Sequence, residues 1–570
     1  MQLSHYGGKY SIERMLSLEE YTRNTSLTRV ILVSISVPLF VFLLVLCQES
    51  VPLQDPADDW KANYGFWIRV GCLGAVVGYA GASQIGVWLD IPELSVKQTM
   101  VFCILKSVGF IAVGMTAANV WVFPVPFFIL SLSLVWPVIL VVALRIVVGA
   151  RAFQEICSRQ TQLQRLNKLG TLQGFMCTAY PAYQALFKTA NHTSYELPVF
   201  LLLPIFRIVM KVIFTSAASH KEDLIPEQVV FTVDFFDAFY LATFMPNLSP
   251  KTLISILIVH FVQTILELQE LNQRTHSILA HLRKIAGIND SNSDLLSTLR
   301  SLCYYSEPLR KQLRTDIRLH SSVSQRLSFE GRSLIETFRC ESLSNRSGST
   351  SQPSTNLVQV SQPATMPVPG CESTFGGLKR ALRKWGSVQP LTSVTVVTNH
   401  PNVKNGTCGT MTKTNKRMDS LDDTTKILRE ALEVLFTSEC LVLIEYVEIV
   451  IPALYAMYIV VMIYLPSAQY HSELVGISRE NAGNTLSPIF IFAVLEFASL
   501  IVLAVMMKRN CGIHAIYQLG FVLETQMSFV VAKLMLWIVF TLTFRVEHFG
   551  AFPSLDRVSR ANNIFLSCRC

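Results

Sequence analysis

The residues of this sequence that could do chemistry are ionisable side chains embedded in long apolar runs. Arg207 and Lys211 stand four apart, and Asp234 and Asp237 three apart, so each pair shares a helix face. A charge at a bilayer centre costs at least about 2.5–3.5 kcal/mol and must face a protein interior or a water-filled cavity. With the two segments antiparallel, Arg207 and Asp237 both reach mid-membrane, and Lys211 and Asp234 both lie about 12 Å from the inner surface. His260, Gln263 and Glu267 form one stripe further along. Glu445 and Glu448 share a face in a later run, Glu496 is central in the next, and Lys533 lies at a depth that suits Glu496. Lys106 and Arg69 sit nearer run ends, where long side chains snorkel to the interface.

This pattern reads as a polar path for an ion, a proton or a small charged solute, with His260 as a candidate proton relay near neutral pH. The competing reading makes Arg207, Lys211, Asp234 and Asp237 interhelical ion pairs that only fix register.

Other patterns concern packing and partners. Gly74, Gly78, Ala82 and Gly86 recur every four residues, a spacing that lets two helix backbones approach closely, within the chain or between chains. In the polar stretch 268–435, Lys379, Arg380, Arg383 and Lys384 oppose Leu378, Leu382 and Trp385 on a short amphipathic helix. Such a segment suits an anionic lipid surface or a calmodulin-like partner. No phosphate-binding loop, dinucleotide fingerprint, metalloprotease helix or nucleophile elbow is present, so the chain does not read as an enzyme. No cofactor, metal or nucleic-acid partner is implied, and the oligomeric state is open.

The elements that must position these groups are membrane helices. The chain has 570 residues, 51% hydrophobic and only 15% charged, where a soluble protein carries about 25% charged residues. Lipid offers no partner for backbone groups, so its apolar runs must be helices. Eleven runs are readable, within a range of ten to twelve: 30–47, 64–87, 100–122, 126–148, 169–187, 197–219, 226–245, 252–266, 441–465, 487–507 and 526–544. The eighth continues as a helix towards Lys284. Trp60, Trp67, Trp88, Trp121 and Tyr464 fall where an interfacial aromatic belt would sit. Arg14, Arg23 and Arg29 before the first run, and Arg145, Arg151, Arg159, Arg165 and Lys168 after the fourth, place the N-terminus and stretch 268–435 in the cytosol and the C-terminus outside.

The expected organisation is all-α and polytopic. A cytosolic segment 1–29 precedes a bundle 30–267 of about eight helices. A basic cytosolic loop 268–435 follows, then three helices in 436–545 and a tail 546–570. The loop holds 22 Lys and Arg against 14 Asp and Glu, a surplus equal to the whole chain's +8. Its ends look helical, at Leu296, Leu299, Leu302 and Tyr305 and at Ile427, Leu428, Ala431 and Leu435, while 342–369 is rich in Ser, Thr, Pro and Gln with few apolar residues and reads as disordered. The functional expectation is transport or conduction along the polar path; the alternative is a membrane sensor, receptor or scaffold acting through the loop.

Several stretches are distinctive: Tyr180-Pro181-Ala182-Tyr183, Tyr195-Glu196-Leu197-Pro198 through Lys211, the run FTVDFFDAFY at 231–240, 443–455, and Leu523-Glu524-Thr525-Gln526. Together they make the span-containing parts resemble a large family of multi-pass membrane proteins expanded in oomycetes. The resemblance implies a membrane location and no particular activity.

Overall fold

The computed structural model describes residues 8–92, 94–190, 193, 195–248, 250–286, 295–305, 317–323, 325–347 and 411–549. These are helical apart from connections and a single bridge between His471 and Val546. The segment 378–387, with Lys379, Arg380, Arg383, Lys384 and Trp385, lies outside the described residues.

Helix α1, Ile12–Asn24, starts at Ser11, whose side chain accepts from the Arg14 amide. The next helices are α2 (Leu27–Glu49), α3 (Tyr64–Leu89) and α4 (Val96–Val120), the last opened by a Ser95/Gln98 capping box. A four-residue turn, α5 (Phe128–Ser131), precedes α6 (Val135–Ser158). The fourth run therefore opens with a short turn, and its long helix starts nine residues after the apolar start at Pro126. Then follow α7 (Gln160–Ala190), α8 (Glu196–Ala218), α9 (Ile225–Val229), a π-helical turn Val230–Asp234, and α10 (Phe235–Phe244). The long α11 (Pro250–Ala286) leads to α12 (Leu295–Tyr305) and α13 (Phe329–Ser347). Because α13 runs to Ser347, the stretch expected to lack structure from 342 starts as helix; most of its remainder lies outside the described residues. The last helices are α14 (Met411–Met462), α15 (Ala482–Met506), α16 (Ala515–Thr525) and α17 (Met527–Thr543).

Seven of these helices are long and apolar enough to cross a membrane, or eight if α16 and α17, bent by 85°, count as one span. Their large apolar side chains point outward, as at Leu32, Phe40, Ile104 and Phe490. A soluble protein would bury such residues, whereas lipid is a good solvent for them. The protein is thus all-helical and membrane-embedded.

Helix α3 is central, packing along α4 and α17 and touching α6 and α7. Gly74 and Gly78 make this possible inside one chain: a Cβ on Gly74 would stand 2.9 Å from Ser107 Cα, and one on Gly78 3.3 Å from Cys103 Cα. The lower half of the glycine stripe behaves differently. A Cβ on Gly86 would meet only the Ile91 carbonyl within 4 Å among the described residues, and Ala82 is half-buried beside open space.

Two ends of the bundle can be told apart by their ion pairs. At one, Lys221 Nζ binds Asp90 and the Val87 carbonyl, and Arg159 Nη1 donates to the Leu89 carbonyl at 2.8 Å. At the other, Glu49 meets Arg69 and His471.

Three sequence expectations fail here for one reason: contacts between distant segments bury what local position would expose. Arg69 does not snorkel; it is 1% exposed and donates to Glu49, to the Val51 carbonyl and to Ser467. Lys106 does not snorkel either; its Nζ donates to the Trp136 carbonyl at 3.0 Å, over the Trp136 ring. Trp67 and Trp88 are core residues and take no part in an aromatic belt, while Trp121 and Tyr464 are exposed. Segment 1–29 is packed against the bundle: Tyr10, Ile12, Arg14, Met15, Leu16 and Leu18 are buried.

Candidate functional site: a buried ionic cluster

Helix α8 carries Arg207 and Lys211 one turn apart on its inner face, three residues beyond Pro204. The π-helical turn carries Asp234, and α10 carries Asp237. A π turn adds one residue to a helical circuit and swings the following side chains, a feature concentrated at functional sites. From a third direction α14 supplies Glu448.

Arg207 joins all three carboxylates. Its Nε donates to Asp234 Oδ1 at 2.7 Å, Nη1 to Asp237 Oδ2 at 3.1 Å, and Nη2 to Glu448 Oε1 at 2.6 Å. Lys211 Nζ lies 2.7 Å from Asp234 Oδ1. All five residues are buried. The side chains close directly on one another. Three directly contacting carboxylates face two cations.

The cluster is also incompletely satisfied. Asp234 Oδ2 and Asp237 Oδ1 are buried without a hydrogen-bond partner among the described residues. Such an orphan costs free energy unless a proton, a cation or water reaches it. Tyr180 of α7 packs its ring against Phe206, Phe236 and Tyr240, and its hydroxyl lies within electrostatic range of Asp237, Arg207 and Asp234. Nothing in the spacing of α7 singled this tyrosine out, because its partners lie on other helices.

No known protein family, curated protein or solved structure matches this chain. The cluster itself must carry the functional reading.

The remaining site residues sort clearly. Glu445 and Glu496 are buried, and Glu496 feels Glu448, Glu445 and Arg207. The two clusters expected from sequence are therefore one, because α14 brings its face against α8. Lys533 does not pair with Glu496. It donates to Thr232 Oγ1 at 3.1 Å, on the π turn, and lies over Phe529 and Trp537. The hydroxyl is reached first because α17 packs against that turn. His260 and Glu267 lie on α11, which packs on α15 and the turn that follows it. Their side chains fall outside those described, and Gln263 between them is exposed. Among the described residues, no group of three or more His, Cys, Asp or Glu is arranged to hold a metal ion.

Two further networks frame the cluster. At the Lys221 end, Arg14 Nη2 lies 2.6 Å from Glu227 and 2.7 Å from Glu439, and Nη1 donates to the Asp223 carbonyl at 2.8 Å. Burial works against the Arg14 charge, but Glu439 and Glu227 outweigh it and hold its pKa above the usual value. Burial, then Glu439, pushes the Tyr10 phenol up, so it stays a donor to Glu439. Gln526, at the break between α16 and α17, donates to Glu227. At the other end, His471 joins Glu49 at 3.2 Å and Tyr458 at 3.1 Å. Arg545 there pairs with Glu473 and lies over the rings of Phe239, Tyr240 and Tyr455.

Proposed function

We propose that the protein conducts or transports a cation, a proton or a small cationic solute, with the Arg207 cluster as its closed mid-membrane gate. One observation carries this reading: three buried carboxylates, Asp234, Asp237 and Glu448, directly contact two cations, and two of their oxygens have no donor among the described residues. Register-fixing ion pairs need charge balance and full satisfaction. A surplus of buried negative charge suits a site that passes positive charge. The break at Gln526 and the π turn supply backbone that can rearrange, as functional membrane helices do.

The proposal includes a topology. Helix α7 spans 31 residues, about 46 Å. Its start lies by Asp90 through Gln162, and the end of α8 lies by Asp90 through Lys221. A hairpin that returns to its origin crosses twice. The α9–α10 segment leads from Glu227, beside Arg14, to Thr243, beside Arg545. With α7, α9–α10, α11 and α17 added to the seven apolar spans, the chain crosses eleven times. The Arg14 end faces the cytosol and the C-terminus lies outside. Kinship with the oomycete-expanded multi-pass proteins belongs to the same proposal and rests on the stretches quoted above.

The test is flux into liposomes holding purified protein, under proton, sodium and potassium gradients. Wild type should pass at least one cation. Glu448→Gln and Asp237→Asn should slow it about tenfold or more, equivalent to roughly 1.4 kcal/mol. Absence of flux under every gradient sinks the reading.

A second reading is favoured by the ties between α1 and 295–330. Arg300 binds Glu19, the Ser321 amide donates to Glu13 at 2.8 Å, and the Ser328 amide donates to Glu20 at 2.8 Å. A partner that engages stretch 268–435 would pull on the membrane helices through these bonds, as a sensor or scaffold would. Specific capture of a cytosolic protein by a flux-silent chain would support it.

A further inference from the structure

At the Lys221 end, α3 and α4 part and leave a cavity of about 680 Å³, within the range of roughly 300–1,000 Å³ typical of ligand sites. Tyr79, Ser83 and Gly86 of α3 face Met100 and Cys103 of α4 across it. Asp90, Ser322 and Ser528 border it as well.

Its position relative to the spans is informative. Helix α3 ends at Leu89 and α4 begins at Val96, so Asp90 marks the headgroup level. Tyr79 lies eleven residues deeper, about 16 Å along the helix. That is half of a hydrocarbon core of roughly 30 Å, so the cavity has the depth of one leaflet. Met100 on its border, one turn into α4, is 63% exposed, which opens it sideways below the headgroup level.

Its chemistry narrows the occupant. Asp90, at the headgroup level, is the charged side chain on the border, and Lys221, buried behind it, neutralises it, so the mouth carries no net charge. The remaining border groups are apolar or hydroxyl-bearing. Ser83 adds a second observation. Hydroxyls elsewhere in the helices, at Ser34, Thr116 and Thr171, return to the carbonyl one turn back. Ser83 Oγ does not; like Thr215 Oγ1 and Ser499 Oγ, it is buried with no hydrogen-bond partner among the described residues.

We infer that this cavity binds a zwitterionic glycerophospholipid, one acyl chain lying between α3 and α4 and the headgroup against the Asp90–Lys221 pair. The acyl chain displaces no charge, and the choline cation of a phosphocholine head meets the exposed Asp90 carboxylate at the mouth. The inference does not depend on the transport reading.

The probe is a phosphatidylcholine carrying a photoactivatable diazirine midway along one acyl chain, placed in nanodiscs with the full-length protein. After illumination, labelled peptides are mapped by mass spectrometry. The expected result is label concentrated in 79–103, several-fold above that at the lipid-facing Phe40 and Phe490. Gly86→Phe, at a position with room for a side chain, should remove most of it while leaving the label at Phe40 unchanged. Ser83→Leu reads the same effect if Gly86→Phe folds poorly. Label spread evenly over the apolar surface, or unchanged in both variants, overturns the proposal and leaves ordinary annular lipid. Displacement of the label by a sterol, but not by unlabelled phosphatidylcholine, also overturns it.

Discussion

Arg207 and Glu448 lie 241 positions apart in the sequence, yet Nη2 of one meets Oε1 of the other at 2.6 Å inside the bundle. This contact ties α14 to α8 and turns a two-helix ion pair into a three-helix cluster. Removing Arg207 leaves Asp234, Asp237 and Glu448 with Lys211 as their nearest cation. Breaking a buried pair by deleting one partner costs about 3–5 kcal/mol. Arg207→Ala should therefore lose at least about 3 kcal/mol in a reversible detergent denaturation, and Arg207→Lys should recover only part, because an ammonium cannot fork to three carboxylates.

The Arg14 network predicts a local effect. Arg14→Ala strips Glu227 and Glu439 of their shared partner and frees the start of α1. Amide exchange in 12–24 and 515–525 should accelerate strongly while α3 and α4 stay protected. Equal exchange in wild type and variant would mean that apolar burial alone seats α1.

His548 predicts a pH dependence. Its Nε2 donates to the Gln54 carbonyl at 2.7 Å, and burial pushes its pKa down to about 4 from an ordinary 6.5. Between those values the unfolded chain takes up a proton that the folded chain refuses. Stability is therefore full above pH 6.5 and falls as pH drops towards 4, by up to about 3 kcal/mol. His548→Gln keeps a donor to Gln54 and should flatten the melting temperature between pH 7 and pH 5.

The glycines of α3 predict opposite outcomes along one helix. Gly74→Val places its Cβ against the α4 backbone at Ser107, which cannot move aside, and should cost about 1–3 kcal/mol or more. Gly86→Ala meets only ordinary contact and gains helix propensity, so it should be neutral or stabilising by up to about 1 kcal/mol. Thermal unfolding of the two variants side by side checks the contrast.

What the sequence determined by itself is whatever depends on neighbours along the chain. Apolar runs near bilayer length specify membrane helices, and spacings of three and four put Arg207 with Lys211 and Asp234 with Asp237. Side chains that close in sequence share a face whatever the helix packs against. Tertiary structure alone decided which faces meet. It brought Glu448 to Arg207, gave Lys533 to Thr232 in place of Glu496, and packed Tyr180 against Phe206, Phe236 and Tyr240. It also buried α1, a polar-looking segment whose charges find partners hundreds of positions away. A buried charge demands a partner but does not name one; the choice depends on helix order and rotation, which no local spacing encodes.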